Sequence, residues 1–372
     1  MNVRSPYSFL DTPALLIDAG RLAANITAMQ RRAGALGVKL RPHTKTHKMP
    51  EIARMQLDAG AVGITVAKVG EAEAMAAAGL HDIFIANEII GAAKWDRIIA
   101  LAPAARVIFG ADSAEAVRMI EAHFASRGAR AEIRVEIETG ENRSGVTCDD
   151  DFLRLLAALK EAPHIRLEGI FSHEGHSYSA HDAADCQRLF EEAQRITLHY
   201  AQLARSQGFG VESVSVGSTP SIMHSEKLLP GITELRPGTY ALMDAGQSAG
   251  IGTYEYCAAT VLATVISKPA DRRVICDAGA KALTKESRGP GLCHTEGFGI
   301  IRGSGGVHVT KLYDEHTVIE NKELHDSVEI GDKIEIIPNH ICPVCNLYDE
   351  AYLVSEGRFL RKMKIAGRGR TQ

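Results

Sequence analysis

Several short stretches of this sequence concentrate side chains that can do chemistry. Arg41-Pro42-His43-Thr44-Lys45-Thr46-His47-Lys48 gathers nitrogen bases in one run. As a solvated loop it would be inert, but a lysine held away from water has a depressed pKa and can act as a Schiff-base amine. In Glu138-Thr139-Gly140-Glu141-Asn142-Arg143-Ser144-Gly145-Val146 two glycines frame Arg143, either as a turn with an exposed arginine or as a fixed guanidinium for an anionic oxygen. Ser172-His173-Glu174-Gly175-His176-Ser177-Tyr178 brings two imidazoles, a carboxyl and a phenol into close succession, a density that favours acid–base work or substrate positioning over a structural histidine. Gly217-Ser218-Thr219 supplies small donors of the kind that cradle phosphate, and the Tyr240 hydroxyl could close the same pocket. In Pro338-Asn339-His340-Ile341-Cys342-Pro343-Val344-Cys345, His340 and Cys342 stand two apart. On an extended segment they would point the same way and offer one imidazole and one thiolate to a borderline-soft cation such as Zn²⁺. A redox role or a structural zinc half-site for the Cys342/Cys345 pair finds no second CxxC and no thioredoxin-like context.

These stretches need elements to position them. Between residues 36 and 245, short β-branched runs alternate with longer Ala/Leu/Glu/Arg-rich stretches of helical period, the pattern of βα units around a parallel sheet. The runs are Val38 to Arg41, Gly63 to Ala67, Asp82 to Ala86, Arg106 to Gly110, Glu132 to Ile137, Arg166 to Phe171, Glu212 to Val216 and Glu234 to Arg236. Eight such units close a (β/α)8 TIM barrel, whose catalytic groups sit at the C-terminal ends of strands. Lys45, Arg143, His173 and Gly217 each follow a run, which strengthens their functional reading. After residue 245 long helical patterns give way to strand-like segments at Tyr256 to Ile266, Arg273 to Asp277, Val307 to Tyr313, Lys333 to Ile337 and Glu350 to Val354, a mainly antiparallel β domain. The early Pro13 to Asp18 run suits the same domain. The expected division is therefore a barrel over 19–245 and a β domain over 1–18 with 246–372.

Composition narrows the class. The 372 residues carry 42 Lys plus Arg against 46 Asp plus Glu, a formal charge of −4 that favours neither nucleic acid nor an anionic membrane as partner. At 45% hydrophobic and 24% charged, the chain has the makings of a large core. Seven scattered cysteines suit a reducing cytoplasm better than a secreted disulfide scaffold. No signal-peptide pattern and no run near the ~18 apolar residues of a membrane span is present. Neither a Walker A motif nor a dinucleotide glycine fingerprint occurs.

A lysine after the first barrel strand, an arginine after the fifth and a phosphate cradle after the seventh, with a β domain behind, resembles the pyridoxal-phosphate enzymes with an alanine-racemase type of barrel. More closely, Arg-Pro-His-Thr-Lys-Thr-His-Lys, His-Glu-Gly-His-Ser-Tyr, Ser-Val-Gly-Ser-Thr-Pro and Pro-Asn-His-Ile-Cys-Pro, in that order, resemble the D-serine dehydratase and D-threonine aldolase family over essentially the whole chain. The resemblance implies that Lys45 holds pyridoxal 5'-phosphate and serves as a base. It also implies that His43, Arg143, Tyr178, Gly217, Ser218, Thr219 and Tyr240 contact the cofactor, with His173 and His176 as further catalytic bases. His340 and Cys342 match its divalent-metal pair, with Zn²⁺ as first choice and Mn²⁺ as second. The substrate expected is a D-3-hydroxy amino acid and the assembly a homodimer.

Two branches of chemistry follow from the resemblance. In a dehydratase the metal assists departure of the 3-hydroxyl, giving a 2-oxo acid and ammonia. In an aldolase a base such as His173 or His176 deprotonates that hydroxyl and the Cα–Cβ bond breaks to glycine and an aldehyde. Cysteine as second metal ligand, where aldolases usually carry Asp, and the His-Glu-Gly-His-Ser-Tyr wording both favour dehydration. A racemase would need no metal, and a non-catalytic cofactor-binding protein of this barrel type would lack the β domain.

Overall fold

Runs rich in Val and Ile, too short for helices, become strands in the computed structural model, which describes residues 3–372. Residues 1 and 2, the start of the expected β domain, lie outside the described residues. The chain divides into two compact units: one comprises Met29–Lys45, Ile52–Gly238 and Gly369–Gln372, the other the residues up to Ala28 with Thr46–Glu51 and Thr239–Arg368. After strand β1 (Ala14–Asp18) come β2 (Lys39–Leu40), β3 (Ile64–Val66), β4 (Asp82–Glu88), β5 (Arg106–Ala111), β6 (Ala131–Ile137), β7 (Ile165–Ser172), β8 (Ser213–Val216) and β9 (Glu234–Leu235). The eight strands β2 to β9 form one parallel sheet in the order β2-β9-β8-β7-β6-β5-β4-β3. Its two ends are joined by backbone bonds: Val62 N–H donates to Leu40 O at 2.9 Å, Thr65 N–H to Pro42 O at 2.8 Å and Thr44 N–H to Thr65 O at 2.8 Å. These close the expected TIM-like barrel.

Side-chain caps set where the barrel's helices begin, and so where its loops end. Ser113 Oγ accepts Ala116 N–H at 3.3 Å ahead of helix Ala114–Ser126, and Asp182 accepts Asp185 N–H at 2.8 Å ahead of Ala183–Ser206. Among the described residues no helix is long and apolar enough to cross a membrane.

The second unit adds β10 (Ala259–Ser267), β11 (Arg273–Cys276), β12 (Ile300–Ile301), β13 (Lys311–Leu312), β14 (Thr317–Glu320), β15 (Lys333–Ile337), β16 (Glu350–Ser355) and β17 (Arg358–Lys364). The sheet runs β13-β14-β11-β10-β1-β16-β17, with β15 also pairing β10 and β12 pairing β15. The early run does belong here: β1 pairs antiparallel with β10 and parallel with β16. All other pairings are antiparallel. The Val307 to Tyr313 segment contracts to two strand residues, while β12, β14 and β17 were not foreseen. In β17, Arg-Phe-Leu-Arg-Lys-Met-Lys, only Met363 is buried, so an exposed edge strand leaves no alternating pattern to read.

The barrel interior is held by charge as well as by apolar packing. Arg134 of β6 is fully buried; its Nε meets Glu168 of β7 at 2.6 Å and its Nη1 meets Glu234 of β9 at 2.5 Å. Glu234 also accepts Arg41 Nε at 2.7 Å and Ser215 Oγ at 2.7 Å, and the Arg134 guanidinium lies 4.5 Å from the Phe84 ring centroid. Burial alone would raise the pKa of Glu234, but Arg134 and Arg41 hold it far below the usual carboxylate range. A depressed carboxyl stabilises the fold above its unfolded pKa of about 4.3, and that contribution disappears as pH falls through the depressed value. Glu234→Ala, which takes one of two carboxylate partners from each of two buried guanidinium groups, should cost about 3–5 kcal/mol at neutral pH in urea unfolding. A loss below about 1 kcal/mol would place Glu234 among replaceable surface charges.

Candidate functional site

Past β2 the backbone stays fastened to its neighbours. His43 N–H donates to Pro237 O at 2.9 Å, and Lys45 N–H points to His43 Nδ1 at 3.4 Å. Both His43 and His173, which follows β7, titrate well below the ordinary imidazole range. For His43 burial is the leading cause, followed by the charges of Lys45 and Arg236; for His173 it is burial, then Lys45, Arg143 and Arg236. In the barrel unit Lys45, Arg143, Arg236 and His176 thus act on His173, and Lys45, Arg236 and His173 act on His43. Burial and the nearby cations keep both imidazoles neutral and make their protonation costly, and an anionic ligand would offset those cations.

Arg236 was read only as strand continuation, yet it is buried, with Nη1 on Ser215 Oγ at 2.5 Å and Nη2 on the Ser172 carbonyl. Burial is the main cause that lowers its pKa to about 10, against the raising pull of Glu234. Its signal, a charged residue at the end of an apolar run, is shared by many exposed positions.

The loop after β6 is shaped by carboxylates. Buried Glu136 accepts Arg143 Nη2 at 3.1 Å and Ser144 Oγ at 3.0 Å, while Glu138 Oε1 accepts the N–H groups of Gly140 and Asn142, both at 2.8 Å. Gly145, at φ 107°, lets the chain return against itself; a Cβ there would lie 2.7 Å from Glu138 N. Glu88 lies beside Glu136, and burial together with that neighbour pushes its carboxyl upward. Arg143 is therefore a fixed guanidinium, half-exposed on one face and anchored by Glu136 on the other.

At the end of β8, Gly217 adopts φ 113° and Ser218 caps the short helix Thr219–His224. The amides of Gly217 and Ser218 donate to the two oxygens of buried Glu174, the first at 3.2 Å. Ser218, Ser221 and Ser177 hydroxyls form a ring at 2.8–3.0 Å, and the buried Thr219 Oγ1 has no hydrogen-bond partner. Amides that already hold a carboxylate, beside an orphaned hydroxyl, fit a phosphate-binding turn; a phosphate on the same amides would share them with Glu174 or displace it. His176 Nδ1 is likewise buried without a partner, and Tyr178 is half-buried in the 3₁₀ turn Gly175–Ser179.

Tyr240, His340 and Cys342 belong to the other unit. Tyr240 is buried in the 3₁₀ turn Thr239–Ala241. His340 and Cys342 are not both on an extended segment, as their spacing suggested. His340 is extended, at φ −141°, but it directly precedes helix Ile341–Cys345 and Cys342 lies in that helix's first turn. The Asp244 carboxylate, which accepts Ile341 N–H at 3.1 Å, starts the helix, and Pro343 suits its opening turn. The two side chains nevertheless meet: the Cys342 thiol hydrogen-bonds the His340 ring and also donates to Thr46 Oγ1 at 3.2 Å. The other side of the His340 ring faces Glu286, with Nδ1 2.7 Å from Oε1. Burial opposes protonation of His340, but Cys342 and Glu286 outweigh it and push the pKa up to about 10. Among the described residues no three or more His, Cys, Asp or Glu side chains are grouped to hold a metal, so a cation here would have two protein ligands and open positions. An imidazole and a thiol side by side suit zinc.

Residues 17–245 match the alanine racemase N-terminal domain, and residues 258–354 match a serine dehydratase domain. The chain belongs to this family. D-Threonine aldolase of Arthrobacter sp. is 34% identical over 369 residues, covering 98% of this chain and 94% of its own length. D-threo-3-Hydroxyaspartate dehydratase of Delftia sp. is 34% identical, covering 90% of this chain and 91% of its own. Among solved structures, the D-threonine aldolase of Filomicrobium marinum shares the alanine racemase-like fold at a TM-score of 0.89 and 30% identity, covering all of both chains. A cysteine-to-alanine variant of a D-threo-3-hydroxyaspartate dehydratase, in a metal-free form, superposes at 0.88 and 30% identity over 98% of this chain and 99% of that one. A histidine-to-alanine variant of that dehydratase is altered two residues earlier, the spacing of His340 and Cys342.

For cofactor-free protein, ring-nitrogen NMR shifts of His43 and His173 should stay those of neutral imidazole from about pH 8 down to about pH 6. A titration of either ring near its ordinary pKa would show that it lies in water rather than among the cations.

Proposed function

We propose that the protein is a pyridoxal-phosphate- and divalent-metal-dependent lyase acting on D-3-hydroxy amino acids, with dehydration to a 2-oxo acid and ammonia as its reaction. The observation that carries this reading is the His340/Cys342 pair, an imidazole and a thiol in contact. It has the spacing of the two positions altered in the dehydratase variants. Cytoplasmic location and a homodimer complete the reading, on cysteine usage and on the family resemblance.

Bound pyridoxal phosphate would supply an electron sink for the substrate's α-carbanion, and a bound cation Lewis acidity toward the 3-hydroxyl. Lys45 would hold the cofactor through its amine and exchange the α-proton. Gly217, Ser218 and Thr219 would hold the phosphate, with Tyr240 as a further contact. Arg143, anchored on Glu136, would meet an anionic oxygen of the ring, beside His43 and Tyr178. His173, kept neutral by burial and by its cationic neighbours, would be the further base once an anionic ligand offsets those cations, with His176 next to it. His340 and Cys342 would bind the metal, zinc in the first instance and manganese in the second.

The Arthrobacter aldolase, 34% identical over nearly the full chain, favours a second reading, retro-aldol cleavage to glycine and an aldehyde with His173 or His176 as base. Incubation of cofactor- and metal-loaded protein with D-threonine separates the two. Equal amounts of ammonia and 2-oxobutanoate without glycine are expected, and chelation should abolish them. Glycine with acetaldehyde would replace the dehydratase reading by the aldolase one.

A further inference from the structure

We propose that Glu286 is a positioning residue for the metal: its carboxylate fixes the His340 ring so that Nε2 is the nitrogen presented to the cation, and so tightens binding by the His340/Cys342 pair. The inference rests on the reading of that pair as metal ligands. Imidazole has two nitrogens, and the bond made by one decides what the other presents. Here Nδ1 lies 2.7 Å from Glu286 Oε1, while the ring also meets the Cys342 thiol. A ring free to rotate would present either nitrogen, and would lose entropy on binding that a held ring has already lost.

The placement of Glu286 is built by the residues around the ligand. The chain turns at Thr284, at φ 63°, and Thr284 Oγ1 accepts Glu286 N–H at 3.3 Å. Asn339, the residue before the ligand, donates its side-chain amide to Glu286 O at 3.4 Å and to Gly297 O at 2.8 Å. The ligand segment is clipped in turn: Ala245 N–H donates to Pro338 O at 2.9 Å and Gly246 N–H to Asn339 O at 3.2 Å. Stability does not explain the carboxylate. The Glu286 side chain is 45% exposed, and ion pairs that open to water contribute about 0–1 kcal/mol. A carboxylate on the distal nitrogen of a metal-binding imidazole orients the ring and raises its basicity; losing such a partner typically costs about 10–100-fold in metal affinity.

The test titrates zinc into cofactor-loaded, metal-stripped protein against a chromophoric chelator, for the native chain, His340→Ala, Glu286→Ala, Glu286→Gln and Glu286→Asp. Glu286→Ala should weaken zinc binding by about 10–100-fold, and Glu286→Asp should recover part of the loss. Glu286→Gln, an acceptor without charge, should fall between them, with cofactor absorbance and unfolding midpoint unchanged in all three. Native zinc affinity in Glu286→Ala alongside loss in His340→Ala would overturn the positioning role and leave the metal pair standing. Native affinity in His340→Ala as well would overturn both.

Discussion

A guanidinium inside a barrel of parallel strands has no water to turn to, and the placement of Arg134 governs much of what surrounds it. Its charge is tolerable only because Glu168 of the neighbouring strand β7 and Glu234 of β9, two strands further on, meet it at hydrogen-bond distance. A one-residue slip of β6 would turn Arg134 out of the barrel and take a cation from each of those buried carboxylates, so the ion network adds to apolar packing in fixing register. Glu234 extends the network to Arg41 after β2, and Ser215 bridges Glu234 to Arg236. The interior charges therefore run toward the residues that follow the strands.

There cations gather around one imidazole. Lys45, Arg143 and Arg236 all act on His173, and desolvation with those charges keeps His173 neutral. An anion relieves such a concentration, and the Gly217 and Ser218 amides already hold one in the form of Glu174. At two of the side chains singled out above, a carboxylate fixes the direction of the group it meets. Glu136 stands behind Arg143 and Glu286 behind His340, whereas Glu174 sits on the Gly217 and Ser218 amides themselves.

The barrel strands were legible because each is a short Val/Ile-rich run followed by a helical stretch, and the residues with chemistry fall after them. What escaped notice follows physical lines. Arg134, Glu168 and Glu234 are charged residues within apolar runs, a pattern that reads as the solvent face of an alternating strand until the barrel closes over it. Glu136 and Glu286 act through a neighbour and carry no motif. Strand β17 is exposed along its length and so lacks periodicity, and the pairing of His340 with Cys342 depends on a helix start supplied by Asp244, about 100 residues away in sequence. The residue types of the His340/Cys342 pair were readable from sequence; the backbone that joins them was not.

The central claim is that Lys45, among those cations, carries the cofactor. Loading the protein with pyridoxal phosphate, reducing it with borohydride and mapping the digested peptides by mass spectrometry tests this directly. The account predicts one modified peptide, with the reduced cofactor on Lys45. Modification of Lys48 or of scattered surface lysines, with Lys45 untouched, would contradict it.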